Sequence, residues 1–346
     1  MNSSQQRKHT FIQQLLAKSL NPAPLEPSQP HGFGKAPVNI ALSKYWGKRD
    51  SVLNLPMNGS VSISLPGLGT ETTVQPFGGQ QDQIELNGQV LDHSVVFAKR
   101  LSQFLDFFRS AACPAFRVVT QNSVPTAAGL ASSASGYAAL VVALDDLFGW
   151  QLAKTELSLL ARLGSGSASR SLFDGFALWH KGERPDGMDS FAESVDSVWP
   201  EFCIGLVKVN TQEKAVGSTL GMQQTVETCD LYQSWPPQAQ RDLETITQAI
   251  IQQDFHTLAK TAEHNALSMH ATMIATWPPI VYWQPESIAA MQIVWRLREQ
   301  GVAVYFTMDA GPNLKLILQT QDQAIVQQAF AEQSTPVEFI LPFQRQ

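Results

Sequence analysis

PTAAGLASSASG, residues 125–136, runs without a break into the apolar stretch YAALVVAL at 137–144. Glycines and small side chains let backbone N–H groups approach a ligand, and the unpaired N–H groups and positive end of a following helix attract phosphate oxygens. Ser132 and Ser133 add hydroxyl donors or a magnesium ligand. Close helix packing by Ala, Gly and Ser would give the same composition. The segment is not a Walker loop, because no Lys follows the glycines.

Outward from this segment the elements alternate. Residues 116–119 read as a strand before it and 132–147 as the helix it opens. Strands are predicted at 36–43 and 60–65. Residues 94–109 carry Val95, Val96, Leu101, Phe104, Leu105 and Phe108 at helical spacing, and 155–163 reads as a helix capped by Thr155 and stopped at Gly164. The stretch 181–200 is polar and contains Pro and Gly, and a new strand begins at 203–209. The predicted layout is therefore an arm at 1–30, a first domain at 31–198 and a second at 199–346. Long helical patterns at 237–273 and 286–299 lead to a buried strand at 302–308, a turn through DAGPN and a last apolar run at 314–318.

The chain has 346 residues, with 24 Lys plus Arg against 30 Asp plus Glu for a net charge of −6, and no Lys/Arg run longer than two. A mildly acidic surface does not favour nucleic acid. The three cysteines, Cys113, Cys203 and Cys229, form no C-x-x-C pair, which fits a reducing cytoplasm. Residues 118–144 lack charge, yet their unbroken apolar part is far shorter than the ~20 residues a bilayer requires, so no membrane partner is expected. The first thirty residues, with Phe11, Ile12, Leu15 and Leu16 ahead of a Pro-rich segment, read as a mobile or loosely docked arm.

Three further segments carry chemistry. GSGSASRS, 164–171, surrounds Gly166 with Ser165, Ser167 and Ser169 and adds Arg170, whose guanidinium grips a carboxylate or phosphate in bidentate fashion; a flexible loop with a surface Arg is the plainer alternative. KYWGKRD, 44–50, puts Lys44, Tyr45 and Lys48 at a strand end, where they gather anionic oxygens or form a solvated turn. In FTMDAGPN, Asp309 closes a buried strand, placed as a general base, a charge stabiliser or an ordinary turn residue. His256, His264 and His270 lack metal-pair spacing and are read as packing, capping or surface groups, and Asp145 and Asp146 as facing solvent.

Taken in order, NIALSKYWGKRDSVLNLPMN, NSVPTAAGLASSASGYAAL, RLGSGSASRSLF, NALSMHAT and YFTMDAGPN resemble the diphosphomevalonate decarboxylases of the GHMP kinase superfamily, from about residue 36 to 318. The resemblance implies an α/β (α+β) GHMP kinase fold. Its N-terminal domain would be ribosomal protein S5 domain 2-like, its C-terminal domain ferredoxin-like, and the active site would lie in the cleft between them. It implies ATP and Mg2+, mevalonate 5-diphosphate as substrate, isopentenyl diphosphate as product, and a homodimer.

Carried over by residue, Ala128, Gly129, Leu130, Ala131, Ser132 and Ser133 would cradle the ATP phosphates, with Ser133 a magnesium ligand. Tyr45, Lys48, Ser165, Gly166, Ser167 and Ser218 would bind the substrate diphosphate and Arg170 its carboxylate. Asp309 would face the C3 hydroxyl and Lys44 the phosphates, so that Asp309, Arg170 and Lys44 form the catalytic set. Gly59 and Asp174 depart from the family pattern beside these motifs. The same cradle serves a GHMP small-molecule kinase, a phosphomevalonate decarboxylase or a noncatalytic nucleotide-regulated binding protein.

Overall fold

The computed structural model describes residues 3–20, 25–111, 113–124, 132–209 and 216–344. Its strands are β1 (Gly32–Ser43), β2 (Lys48–Asp50), β3 (Leu55–Pro56), β4 (Ser60–Phe77), β5 (Gln83–Leu86), β6 (Gln89–Val90), β7 (Ala115–Asn122), β8 (Phe176–Trp179), β9 (Ala192–Ser194), β10 (Phe202–Val207), β11 (Tyr305–Met308), β12 (Leu314–Gln319) and β13 (Val337–Ile340). Its helices are α1 (Ser3–Ser19), α2 (Val96–Leu105), α3 (Ser132–Phe148), α4 (Lys154–Gly164), α5 (Ser218–Thr228), α6 (Trp235–Gln252), α7 (Phe255–Ile274), α8 (Pro285–Glu299) and α9 (Gln323–Ala331). The mixed α/β class expected from the sequence is the observed one.

The first sheet runs β6-β5-β7-β4-β8-β9, with β1 also on β4. The long β4 pairs antiparallel with β1 along one edge, and its other edge is shared between β8 and β7. Helix α3 lies directly on β1. A β-carbon on Gly34 would sit 2.1 Å from the Ala139 carbonyl oxygen, and one on Gly32 2.0 Å from that of Ala143, so only glycine allows this approach. The body of α3 is thereby fixed on the sheet, and its first turn is tied there by Ser135 Oγ, 2.8 Å from Thr70 Oγ1 of β4.

The second sheet runs β11-β12-β10-β13. The two sheets share one core: Val38, Ile40, Leu42, Val61, Ile63 and Leu65 of β1 and β4 pack with Ile204, Leu206, Tyr305 and Ile317 of the second sheet and with Ile246 and Leu258 of α6 and α7. Strand ends from both sheets are therefore held in register by buried apolar contact, which resists sliding of one against the other.

Several local readings are corrected. The first residues are not a mobile or loosely docked arm, because Phe11, Ile12, Leu15 and Leu16 of α1 are buried in the core of the first sheet. Thr155 does not cap α4; Ala153 occupies that position and its N–H donates to Glu156 Oε2 at 2.9 Å. The long pattern at 237–273 is two helices, broken where Gln253 turns left-handed (φ 55°) and Asp254 caps α7 through Thr257 N. Asp145 is half-buried and accepts from Leu152 N, whereas Asp146 is exposed as expected and also accepts from Phe33 N.

Candidate active site

β1 ends at Ser43, and Lys44 and Trp46 beyond it are latched mainly by the second half of the chain. Lys44 N donates to Asn265 Oδ1 at 2.7 Å and Asn58 Nδ2 donates to Lys44 O at 2.7 Å. Trp46 Nε1 donates to Thr225 Oγ1 of α5 at 3.1 Å, while Trp46 O accepts from Tyr232 Oη and Trp235 Nε1. With its backbone so fixed, Lys44 sends its ammonium inward to Ala41 O and to Asp309 Oδ1, both at 2.8 Å.

Asp309 leaves the end of β11, whose hairpin partner β12 places Lys315 opposite Thr307. Lys315 Nζ lies 3.3 Å from Asp309 Oδ2, so each carboxylate oxygen faces a different ammonium. His270 Nε2 stands 3.1 Å from Asp309 O and fixes the backbone there. Asp309 keeps 28% of its side chain exposed, whereas Lys44 and Lys315 are almost wholly buried beneath it. Burial by itself would raise the Asp309 pKa, but Lys44 and Lys315 outweigh it and hold the carboxyl well below the usual range. Lys44 is lowered to about 8, chiefly by burial, with Asp309 opposing and Lys315 and Arg170 assisting. His270 is lowered to about 3 by burial and by Lys44, so it is neutral and its Nε2–H donates to the carbonyl.

Arg170 belongs to the 3-10 turn Gly166–Leu172 and is buried. Its Nη1 donates to Ser60 Oγ and its Nη2 to Asn39 Oδ1 at 3.3 Å, and Trp179 lies under the guanidinium at 5.9 Å. No carboxylate among the described residues pairs with it at ion-pair distance, and its Nε has no hydrogen-bond partner. Burial lowers it to about 10, with Asp309 and Tyr45 opposing. The buried guanidinium spends two of its five N–H donors on neutral partners, an arrangement that suits an anion.

Tyr45 ties this turn to the first motif. Its ring meets Trp179 edge-on at 4.8 Å, and its buried hydroxyl has no partner. A β-carbon on Gly166 would lie 2.8 Å from Tyr45 Cε1 and 2.9 Å from Trp179 Cη2, so the glycine is what allows the two motifs to touch. Ser165 Oγ lies 3.3 Å from Ser167 Oγ and 3.5 Å from Ser133 Oγ, joining the serine segments at the start of α3. Lys48 donates to Asn54 Oδ1 at 2.7 Å, and burial, then Lys8 and Arg100, lower it to about 8.

Lys44, Tyr45, Gly166, Arg170 and Asp309 thus converge at the seam of the two sheets. Ser218 opens α5, which docks on Trp46 through Thr225, about two helical turns further along. Ala128, Gly129, Leu130 and Ala131 lie outside the described residues, as does the Ser132 side chain. Sequence reasoning missed Lys315, Asn265, Asn39, Ser60 and the inward role of His270. Asn39, Asn265 and His270 lie inside segments that carry the family resemblance but had no role read for them there, and Lys315 left its own signal, a lone charge inside the apolar run LKLIL.

Two family descriptions match the chain: the diphosphomevalonate decarboxylase-like N-terminal domain over residues 36–192 and the mevalonate 5-diphosphate decarboxylase C-terminal domain over residues 204–343. Diphosphomevalonate decarboxylase mvd1 of Aspergillus fumigatus is 42% identical over 317 residues, covering 84% of this chain and 77% of its relative. The structure of mevalonate diphosphate decarboxylase from Staphylococcus aureus superposes with a TM-score of 0.82 at 38% identity, over 90% of this chain and 98% of the other. A solved structure described as MDDEF in complex with MVAPP, AMPPCP and magnesium gives 0.83 at 40% identity, over 90% and 96%. With both halves matched and the identity sustained along most of its length, this chain belongs to the diphosphomevalonate decarboxylase family.

Proposed function

We propose that the pocket at Asp309 carries the chemistry of this family, the ATP-dependent decarboxylation of mevalonate diphosphate to isopentenyl diphosphate, ADP, phosphate and carbon dioxide. The observation that carries the assignment of residues is the charge count at the seam. One carboxylate, Asp309, faces two lysines directly and shares the field of Arg170, leaving the pocket strongly cationic. Such a pocket suits a substrate bearing a carboxylate and a diphosphate.

Arg170, with its unspent Nε, holds the substrate carboxylate, and Tyr45, Lys48, Ser165, Gly166 and Ser167 face the diphosphate, joined by Ser218. Asp309 accepts a hydrogen bond from the C3 hydroxyl and orients it. A carboxylate clamped by two ammonium groups is a weak base, so of its possible roles orientation and charge stabilisation fit better than early proton removal. In a loose phosphoryl transfer the hydroxyl proton leaves late, and positioning matters most. After the C3 phosphate departs, the same carboxylate offsets positive charge at the tertiary carbon.

The residues fit ATP with Mg2+. The hydroxyls of Ser133 and Ser165 meet where the 17-residue helix α3 begins, beside the buried Lys44 pocket. A Mg2+ carried mainly by phosphate oxygens and water would find a serine hydroxyl here, such as that of Ser133. When bound, the nucleotide and its metal supply the transferable phosphoryl group.

No described helix is long and apolar enough to cross a membrane. A cytoplasmic homodimer with a division near residue 199 completes the reading, and light scattering tests the dimer. The deciding assay incubates the protein with ATP, Mg2+ and mevalonate diphosphate and counts ADP and carbon dioxide. Equal release is expected; ADP without carbon dioxide would make the chain a kinase.

A further inference from the structure

Helix α1 lies outside the residues matched by the two family domains, yet it is bound to the elements that carry the diphosphate contacts. Four apolar residues on one face bury it, and one turn before Phe11 Arg7 pairs with Asp50 of β2 at 2.6 Å, two residues beyond Lys48. Ser19, at the far end, donates to Glu156 of α4. Between these anchors Lys8 reaches Leu163 O at 3.1 Å, two residues ahead of Ser165.

Asn54 links the two lysines. Its Nδ2 donates to the same Leu163 O at 3.2 Å, and its Oδ1 accepts from Lys48 Nζ at 2.7 Å. An ammonium group has three donors, and each lysine spends one on a neutral oxygen. Neither has a carboxylate at ion-pair distance among the described residues. Arg100 of α2 adds a third positive charge to the field at Lys48. Half-buried like charges repel, and a bound anion is what relieves that repulsion. Burial lowers Lys8 as well as Lys48, as expected for ammonium groups kept from water without a counter-ion.

We propose that Lys8, carried by a helix outside the family core, is a direct contact for the terminal diphosphate of the substrate, completing with Lys48 the anion pocket beside Ser165. The identity of the ligand as substrate rests on the function proposed above; the pocket itself is a site for a diphosphate group. A simpler role for Lys8 would be to cap the C-terminal end of α4, where a cation is favourable.

The test uses the full chain with Lys8→Gln and Lys8→Arg. Glutamine removes the charge and keeps N–H donors on a side chain one atom shorter, and Lys8→Arg keeps the charge as the control. Calorimetry with inorganic pyrophosphate should show Lys8→Gln binding about tenfold more weakly and Lys8→Arg within about threefold of the parent. In turnover, the KM for mevalonate diphosphate should rise by a similar factor, with the KM for ATP changed by less than about twofold. Unchanged pyrophosphate affinity in folded Lys8→Gln, or a parent protein that does not bind pyrophosphate, overturns the proposal. A parent that binds pyrophosphate but does not decarboxylate mevalonate diphosphate refutes the proposed function, and the comparison of variants still decides Lys8.

Discussion

Lys315→Met removes one of the two ammonium groups that hold Asp309 and leaves the other in place. Lys315 Nζ is 3.3 Å from Oδ2, so at an effective dielectric near 20 the attraction is about 5 kcal/mol before screening. With 28% of the Asp309 side chain exposed, solvent screening brings the differential effect on the ionised form to about 2–3 kcal/mol. At 1.36 kcal/mol per pH unit that is a rise of roughly 1–2 units in the carboxyl pKa. The sign follows from the direction of the native shift: Asp309 is depressed, so losing a cation lets it protonate at higher pH. The acid limb of the kcat/KM profile should therefore move upward by about 1–2 pH units, and kcat at neutral pH should fall by about 10²-fold as the carboxylate loses its orientation. Lys315→Arg should recover most of the loss. Thermal melting controls for folding, and a methionine suits the apolar run of β12. An unmoved acid limb with activity within about twofold of the parent would refute the clamp as a catalytic device.

Asp309→Asn should keep nucleotide affinity within a few-fold while turnover falls by about 10²–10³, because the amide cannot offset developing positive charge; near-normal turnover counts against the role. Arg170→Lys loses the paired contacts to Ser60 and Asn39, so kcat should fall more than KM rises, and an effect on KM alone would oppose carboxylate alignment as its function. His270, lowered to about 3 by burial, contributes stability that is complete above its unfolded value of 6.5 and is lost as pH falls toward 3. Denaturant midpoints should show a loss of about 2 kcal/mol between pH 6.5 and 5, and the slope should flatten in His270→Gln; equal slopes in both proteins would remove His270 from the account.

The segments that carry the chemistry were legible because each has a composition that backbone physics restricts. Gly166 must be glycine for its turn to sit against the Tyr45 and Trp179 rings, and the DAGPN turn must end a buried strand. What sequence could not show was which residues from distant segments meet. Asn265 and Asn39 are ordinary polar residues in helix and strand until the fold brings them to Lys44 N and to Arg170. His270 lies within a helical pattern whose inward face is set by tertiary packing, and the burial of α1 depends on a surface its own residues do not define. Lys315 was readable in principle, since a charge inside an apolar strand must be paired or solvated, but its partner six residues back across a turn was not.

The position of the site at the seam has an energetic reason. Lys44 and Lys315 are nearly buried, and burying an ammonium group without a counter-charge is costly. Asp309 supplies one negative charge for both, so the free protein retains unrelieved positive charge there, to which Arg170 adds. The shared core of the two sheets, with Val38, Ile40 and Leu42 of β1 packed against Tyr305 and Ile317, holds these like charges at fixed distances and prevents the strand ends from parting. On the proposed function, part of the folding free energy is thus stored as a field that an anionic substrate would relieve on binding. Because Lys44 and Asp309 come from strands of different sheets, loosening that core would separate them and weaken substrate capture before it unfolded either half.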